Sequence, residues 1–522
     1  MSTVAESIEA VKEWPETEKG VLFRELDPCA SPKPPAEVLR GKTGGGFCAA
    51  ERRLPRRTHE KRRVKAAPGN CPDEGVSPTP RWPWHQLPPL SCNGCQSGHH
   101  PGPVIFPRTF RIRQTFERTR VADVSAETAR ELARLSLRDR VRPGQTVAIT
   151  AGSRGIANIR FIIKAVVDHF KTIGAQPFIV AAMGSHGGGT SEGQRRILAD
   201  YGITEEFCGC PIRSSMETII LGTTAEGIPV HFARDASEAD HVFVVNRVKP
   251  HTRLEGELQS GLMKMMLIGL GKHEGAKVYH RAFTDYSFDQ IVRSVAQSVI
   301  ENGRVLGGLG IVENAYDETA LLRGALPQDL ETQEKELLTL ARRWLPRLPF
   351  DHADILLVDE IGKEISGCGM DTNVVGRKAY IHESGPAEFP KIKRIIVRSL
   401  TEQTHGNASG IGYSEFCLTR VVTAMDMKTT WINSITSGYP AVAMIPPHFD
   451  TDREVIHVAL GTIGLVEPAH AKLLWIRNTL HAEEVECSEA YLEAARQRSD
   501  LEVLCEPRAL PFDDAGYLPA HV

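Results

Sequence analysis

The chain has 522 residues, of which 41% are hydrophobic, 6% aromatic and 24% charged. This composition is typical of globular proteins and excludes a collagen-like, coiled-coil or wholly disordered chain. The formal charge of −3 excludes a global field that would draw the chain to nucleic acid or to an anionic membrane. Because single cores rarely grow beyond about 250 to 300 residues, the length predicts more than one domain.

The first 104 residues differ in composition from the rest of the chain. They hold 15 of the 33 prolines and five of the 11 cysteines, with little helical or strand periodicity. Such a segment cannot bury enough apolar surface to offset its ordering entropy, so residues 1–104 are predicted to form a disordered extension. Its basic run Arg52–Lys65 is typical of a solvated tail, and the single Cys92/Cys95 pair favours unpaired thiols over a zinc knuckle.

The sequence carries no recognisable membrane or export signal. No apolar run reaches eighteen residues, and Met1–Lys19 holds five acidic residues without an apolar stretch. The cysteines are odd in number and scattered over the predicted folded part, which favours reduced thiols. We therefore expect a cytoplasmic location.

Residues 105–328 alternate helix and strand patterns and form the first predicted domain. The predicted strands are buried and continuous in their apolar character, and they are joined by amphipathic helices. This arrangement predicts a parallel sheet covered on both faces. The predicted elements are a helix over Ala126–Arg140, a strand over Thr146–Thr150, a helix through Phe161 and Phe170, a strand over Pro177–Ala182, a helix capped by Thr190 or Ser191, and a strand over His241–Val245.

Residues 329–522 form the second predicted domain, which is again α/β. Its predicted elements are a helix over Leu330–Leu345, strands over Ile355–Val358 and Arg394–Val397, helices over Gly412–Val421 and Lys428–Ser437, and candidate strands over Val421–Thr423 and Val455–Leu460. The predicted fold class is thus α/β, with two domains of largely parallel sheets and an active-site cleft between them.

Polar residues follow the predicted strands of the first domain, where ligands of open α/β sheets bind. Ser153-Arg154 is either an anion seat at a helix start or a tight turn with a surface arginine. His186 lies in a glycine-rich loop and is either an acid/base group or a structural turn residue. His251 repeats this placement one strand later. Two histidines at separate strand ends suit an isomerase, because they can act on opposite faces of one substrate carbon.

The segment Gly256–His280 contains a lysine in an unusual setting. Lys264 lies within a run of Met, Leu and Ile, where a cation is costly unless it is paired, neutral or covalently used. A snorkelling lysine is the alternative. His280 follows sixteen positions later, and either it or His273 is able to offer an imidazole to a metal.

Ala182–His186, Lys249–His251, Lys264 and His280 together resemble the nickel-pincer lactate racemase family and the isomerase-like homologues that share its N-terminal domain. The similarity covers mainly residues 110–290. It implies that Lys264 tethers a pyridinium-3,5-bisthiocarboxylic acid mononucleotide, the pincer, through a thioamide. Two sulfurs and one ring carbon of the pincer hold nickel, and His280 completes the square plane.

The resemblance also implies roles for the remaining residues of the first domain. His186 and His251 are the catalytic histidines: one takes the substrate hydroxyl proton while a hydride passes to the pincer. The keto intermediate then accepts the hydride back on either face. Arg154, next to Ser153, matches a family arginine and is expected to hold an anionic group of the substrate or cofactor.

Two departures from the family pattern bear on the substrate. Lys264 lies 13 positions after His251, and Ser260–Met263 precede it in place of the glycine-rich stretch of the racemase. The acidic residue expected just before Arg154 is absent. These differences imply altered substrate recognition, so a larger 2-hydroxy acid or a sugar acid is as good a candidate as lactate.

A polar, glycine-rich loop in the second domain is the predicted cover of the cleft. Substrate contacts are expected from Lys363, Asp371, Asn373 and Arg377, although an ordinary connection between elements explains the same composition. Closure of such a loop would exclude water from the reaction.

The predicted function is that of a racemase or epimerase acting on a small-molecule hydroxy acid, with cofactor-synthesis proteins as partners and no membrane association. A zinc- or other metal-dependent lyase or hydrolase is one alternative. A non-catalytic nucleotide-binding module that recruits nucleic acid through Arg52–Lys65 is the other.

Overall fold

The computed structural model describes residues 105–153 and 155–520, with the backbone alone for Thr436. Within this part of the chain, sixteen strands form two large sheets and one hairpin. The strands are β1 Thr109–Gln114, β2 Thr146–Ala151, β3 Gln176–Ala181, β4 Ile212–Arg213, β5 Thr218–Thr223, β6 Pro229–Ala233, β7 His241–Arg247, β8 Val305–Glu313, β9 Thr319–Ala325, β10 His352–Ile361, β11 Lys391–Leu400, β12 Phe416–Leu418, β13 His448–Phe449, β14 Leu473–Ile476, β15 Glu484–Ser488 and β16 Leu501–Val503.

Helices cover the sheets and connect most of the parallel strands. They are α1 Val124–Arg134, α2 Ile159–Thr172, α3 Ser191–Asp200, α4 Glu205–Cys208, α5 Arg234–Ser237, α6 Leu262–Lys264, α7 Lys272–Asp285, α8 Phe288–Asn302, α9 Leu330–Arg343, α10 Thr419–Ala424, α11 Met427–Thr436, α12 Asp452–Leu460 and α13 Leu492–Arg496. A π-helical turn, Met265–Gly269, follows α6 directly.

The first sheet has the strand order β4-β3-β2-β7-β8-β9 and is parallel except for β9. Its two faces bury separate apolar clusters: Ile149 of β2 packs in one, and its neighbour Ala148 packs in the other. Burial on both sides explains why the strands are apolar at consecutive positions. The predicted parallel sheet with two covered faces is confirmed.

The second sheet has the order β13-β12-β11-β10-β14-β15-β1-β16. The first five strands in this order, from β13 to β14, are parallel to one another. The remaining neighbouring pairs are antiparallel. The fold class, α/β with two largely parallel sheets, is therefore confirmed. One strand crosses the predicted division of the chain: β1 lies within residues 105–328 but pairs with β15 and β16 of the second sheet.

Three predicted elements of the second domain differ from the structure. The candidate strands Val421–Thr423 and Val455–Leu460 lie in helices α10 and α12, and the predicted helix Gly412–Val421 contains strand β12. Short β-branched runs favour strands, but Thr451 caps α12 and forms a reciprocal capping box with Glu454. This local capping outweighs the β propensity of Val455 and Ile456.

Two further predictions concern membranes and the N-terminal extension. Among the described helices, none is long and apolar enough to cross a membrane. The predicted extension 1–104, with Arg52–Lys65 and the Cys92/Cys95 pair, lies outside the described residues.

A buried ion-pair network fixes α12 to the second sheet and predicts a stability effect. Both oxygens of Asp452 accept from Arg398, at 2.6 and 3.1 Å, and both side chains are almost fully buried. Asp452→Asn leaves the buried guanidinium without this partner, so we expect the free energy of unfolding to fall by about 3 kcal/mol in urea denaturation. Asp168→Asn, which breaks an exposed pair with Lys164, is the control and should cost about 0.5 kcal/mol or less. Equal effects would contradict this account.

Candidate active site

The loops after β2 and β3 pack closely against the segment that follows Lys264. A Cβ atom on Gly152 would lie 3.1 Å from Met265 Cε, and one on Gly184 would lie 2.9 Å from Ile268 Cγ2. Gly184 also has a φ of +60°, which a side chain disfavours. These glycines let the loops that carry Ser153 and His186 approach the π-helical turn next to Lys264. Such turns occur frequently at functional sites.

His186 is held by contacts on its ring and on its backbone. Its Nδ1 forms a short hydrogen bond with Ser153 Oγ, and the Ser153 carbonyl accepts from the Tyr201 hydroxyl at 2.9 Å. The Gln194 amide donates to the His186 carbonyl at 3.3 Å and to the Gly184 carbonyl at 2.9 Å. Because a serine hydroxyl both donates and accepts, this contact is compatible with either neutral tautomer of the ring. The structure thus brings together Ser153 and His186.

Lys272 supports the same loop and is a residue that the sequence analysis missed. The side chain is fully buried; its Nζ donates to the Ala181 carbonyl at 2.5 Å and to Gln194 Oε1 at 3.4 Å. Burial lowers the pKa of Lys272 to about 8, against a smaller opposing effect of Asp235. Lys272 begins α7, so it joins the helix that carries His280 to the loop that carries His186.

His251 is fixed through its backbone and its ring. Its backbone N–H donates to Gln259 Oε1 at 2.9 Å, and its carbonyl accepts from Asn373 Nδ2 at 3.3 Å. Its ring Nδ1 accepts from the backbone N–H groups of Arg253 and Leu254 at 3.1 and 3.0 Å. A nitrogen that accepts two hydrogen bonds carries no proton, so neutral His251 bears its proton on Nε2.

Lys264 and His280 lie within electrostatic reach of each other. Burial lowers the pKa of His280 to about 4, and the charges of Lys264 and Arg253 add to this effect. His280 Nδ1 is buried and has no hydrogen-bond partner among the described residues. A neutral imidazole with an unused buried nitrogen fits the demand of a metal for a nitrogen ligand. Arg253 lies two residues beyond His251, so this pair adjoins the His251 loop.

The polar loop of the second sheet contacts the His251 loop directly. Lys249 Nζ lies 3.0 Å from Asp371 Oδ2, and Thr372 Oγ1 donates to the Thr252 carbonyl. Although burial raises the pKa of Asp371, the Lys249 charge and hydrogen bonds from Asn373 hold it below its usual value. The structure therefore brings Asp371 and Asn373 to the candidate site, where their described contacts are with protein groups.

The described contacts of Lys363 and Arg377 are not with the His251 loop, unlike those of Asp371 and Asn373. Lys363 Nζ donates to the Gly367 carbonyl of its own loop at 2.6 Å. Arg377 is fully buried, and its guanidinium donates to Glu415 Oε1 at 2.8 Å and to the Ile392 carbonyl at 2.8 Å. These contacts tie Arg377 to the interior of the second sheet, and its substrate contact stays a prediction.

Lys378, the next residue, is a second functional candidate that the sequence analysis missed. Its Nζ donates to Gln259 Oε1 at 2.9 Å, the same oxygen that accepts from the His251 backbone. Within residues 105–153 and 155–520, no carboxylate lies within 4.0 Å of this ammonium. Burial lowers the pKa of Lys378 to about 8, with Glu255 opposing. No local pattern distinguishes Lys378 from Lys363, since its position depends on a contact 119 residues away in sequence.

The remaining predicted site residue is Arg154, which lies outside the described residues. Among those described, no three His, Cys, Asp or Glu side chains form a cluster able to hold a metal ion. The cofactor implied by the resemblance requires a single histidine ligand, and His280 is the residue predicted for that place.

Comparison with known proteins bears on the first domain. Residues 115–289 match the family model of the lactate racemase N-terminal domain. This part of the chain is therefore similar to the N-terminal domain of lactate racemases. The resemblance inferred from His186, His251, Lys264 and His280 is thereby confirmed at the level of the family, and all four residues lie within the matched range.

Two solved structures are similar to the chain at low identity. The lactate racemase apoprotein from Thermoanaerobacterium thermosaccharolyticum is 13% identical, with a TM-score of 0.43, and the match covers 72% of this chain and 99% of that one. A Thermotoga maritima protein is 12% identical, with a TM-score of 0.44 and coverage of 70% and 99%. No curated protein matches the chain.

The environment of His251 predicts its tautomer. Nitrogen NMR of labelled histidines, assigned with a His251→Gln variant, should show a deprotonated Nδ1 and a protonated Nε2 in the neutral ring, because two backbone N–H groups donate to Nδ1. His186 is the internal comparison, since its serine partner does not select a tautomer. A proton on Nδ1 of neutral His251 would contradict the described geometry.

Proposed function

We propose that this protein is a racemase or epimerase of a 2-hydroxy acid or a related hydroxylated carboxylate, and that it uses a nickel-pincer nucleotide tethered to Lys264. The observation that carries the proposal is the proximity of Lys264 and His280 to the His251 loop, within the part of the chain that is similar to the lactate racemase N-terminal domain. A lysine for the tether, a neutral histidine for the metal and a histidine for the substrate are the three parts that this chemistry requires.

The chain's own residues have distinct parts in holding the cofactor. Lys264 supplies the amine for the thioamide link, and His280 supplies the nitrogen ligand to nickel. When bound, the pincer supplies a site that takes a hydride from the substrate carbon and returns it. The half-buried position of Lys264 among fully buried neighbours restricts its motion, which orients the tethered group.

The two catalytic histidines differ in what they contribute. Loss of a hydride from the substrate carbon must be matched by loss of the hydroxyl proton, so that a neutral carbonyl forms. His186, whose tautomer is not restricted by Ser153, is the base that accepts this proton and returns it. His251 presents a fixed Nε2–H that hydrogen-bonds and orients a substrate oxygen. This division of work is less symmetric than the exchange between two bases that the resemblance implies.

Lys378 is the candidate for binding the substrate carboxylate. It places a positive charge beside the His251 loop, and no carboxylate among the described residues lies within 4.0 Å of its Nζ. A carboxylate bound there gains a charge-assisted hydrogen bond in a partly dry site, where such bonds are strong. Asp371 and Asn373 hold the loop on which His251 lies, and closure around the substrate would exclude water.

The partners and setting follow from the same proposal. The substrate is a small hydroxy acid, lactate itself or a larger or sugar-derived acid, and cofactor-synthesis proteins must provide the pincer. We place the reaction in the cytoplasm and assign neither nucleic acid nor a membrane to it.

A first test concerns the tether. Protein made together with pincer-synthesis enzymes should carry an adduct on Lys264 in peptide mass spectrometry, with nickel in near-equal amount. Lys264→Arg should abolish the adduct, because a guanidinium does not form the thioamide. His280→Gln should keep the adduct and its nickel but lose the nickel faster to a chelator, since only the protein's own metal ligand is removed. An unmodified Lys264, under conditions that load a lactate racemase, is the result that excludes the proposal.

A second test concerns Lys378. With an active 2-hydroxy acid in hand, Lys378→Met should raise KM about 30-fold and change kcat little, because the lost bond to the carboxylate serves ground state and transition state alike. Lys428→Met, which removes an exposed lysine of the same domain, should change neither constant. A Lys378→Met enzyme with unchanged KM would exclude the assigned role.

A further inference from the structure

A buried carboxyl group contacts helix α6, the short helix that carries Lys264. Glu334, on helix α9, has no exposed surface. Its Oε2 accepts from the Met263 backbone N–H at 2.9 Å, and the neighbouring Leu262 backbone N–H lies close enough to act on the pKa of this carboxyl group. Its Oε1 is buried without a hydrogen-bond partner among the described residues. The active-site chemistry derived above makes no use of this group.

Gly261, the residue before helix α6, has no side chain, and this leaves the space that the Glu334 carboxyl group occupies. Gly261 has a φ of +147°, and a Cβ atom there would lie 2.5 Å from the carboxyl carbon of Glu334. The Gly261 carbonyl accepts from Asn246 Nδ2 at 2.8 Å and from the Met265 N–H at 2.9 Å. The start of the Lys264 turn is therefore held from strand β7 on one side and from α9 on the other.

The local structure explains why such support is needed. Helix α6 consists of Leu262–Lys264 only and passes directly into the π-helical turn. So short a helix does not stabilise itself, and its first backbone N–H groups have no acceptor within the helix. Glu334 supplies that acceptor from a residue 71 positions away.

Packing alone does not account for a carboxyl group at this place. A buried carboxyl group is costly to desolvate, and an apolar side chain of similar volume often packs as well or better. What an apolar side chain does not do is accept a hydrogen bond from the Met263 amide. The position thus favours control of the turn's direction.

We propose that Glu334 is a positioning residue for Lys264: by accepting from the Met263 amide at the start of helix α6, it sets the direction in which the lysine leaves that helix. This inference rests on the proposed function only in assigning the tether to Lys264. Glu334 acts through the backbone and does not itself touch the substrate or the cofactor.

The test compares Glu334→Gln with Glu334→Leu in the full chain. The glutamine oxygen still accepts from the Met263 amide, whereas leucine removes the acceptor at similar volume. In the purified protein, hydrogen exchange of the Met263 amide should accelerate about tenfold in Glu334→Leu and about twofold or less in Glu334→Gln. After production with pincer-synthesis enzymes, the fraction of Lys264 that carries the adduct should fall in the same order.

Two controls separate positioning from general destabilisation. Leu338→Ala truncates a buried side chain on the same helix and should lower stability without changing exchange of the Met263 amide or loading of Lys264. If Glu334→Leu does not fold, Glu334→Asp takes its place: the carboxylate is retained but withdrawn from the amide, so faster exchange and lower loading are again expected.

The outcomes are distinguishable from those of the proposed function. The positioning role would be overturned if amide exchange and loading of Lys264 in Glu334→Leu equal those of the wild-type protein. If the wild-type protein takes up no pincer, the proposed function fails. The positioning role is then decided by amide exchange and by the acylation rate of Lys264, measured relative to the exposed Lys277, in the glutamine and leucine variants.

Discussion

The close approach of the π-helical turn Met265–Gly269 to the loops after β2 and β3 is the constraint on which the candidate site depends. It is permitted by Gly152 and Gly184, whose missing side chains leave room for Met265 and Ile268. Any Cβ at Gly184 would overlap with Ile268 and push Lys264 away from the loop of His186. The strand-end loops and the lysine segment are thus packed as one unit.

The second sheet contributes by holding the His251 loop. Asn373 donates to the His251 carbonyl, and the ion pair of partly exposed Lys249 with buried Asp371 joins the same two loops. A buried ion pair contributes little net stability, because desolvation offsets the attraction, but it tolerates few alternative arrangements. These contacts therefore serve the orientation of His251 more than the stability of the fold.

The site residues that could be predicted are those whose setting is visible in the neighbouring sequence. His186 and His251 follow predictable apolar strands, and Lys264 is a cation in an apolar run. Glu334, Lys272 and Lys378 could not be predicted, because each makes its hydrogen bond to a residue 71 to 119 positions away in the sequence. Burial of Arg377 was likewise invisible, because its partner Glu415 is distant in sequence. By contrast, the capping box of Thr451 and Glu454 was readable and would have identified α12.

The central claim is that a tethered metal cofactor is completed by one histidine of this chain. X-ray absorption spectroscopy at the nickel edge of loaded protein tests it most directly. The account predicts sulfur ligands and a single imidazole nitrogen, with the imidazole signal lost in His280→Ala and kept in His186→Ala and His251→Ala. A nickel site with several imidazoles, or one unaffected by His280→Ala, would contradict it.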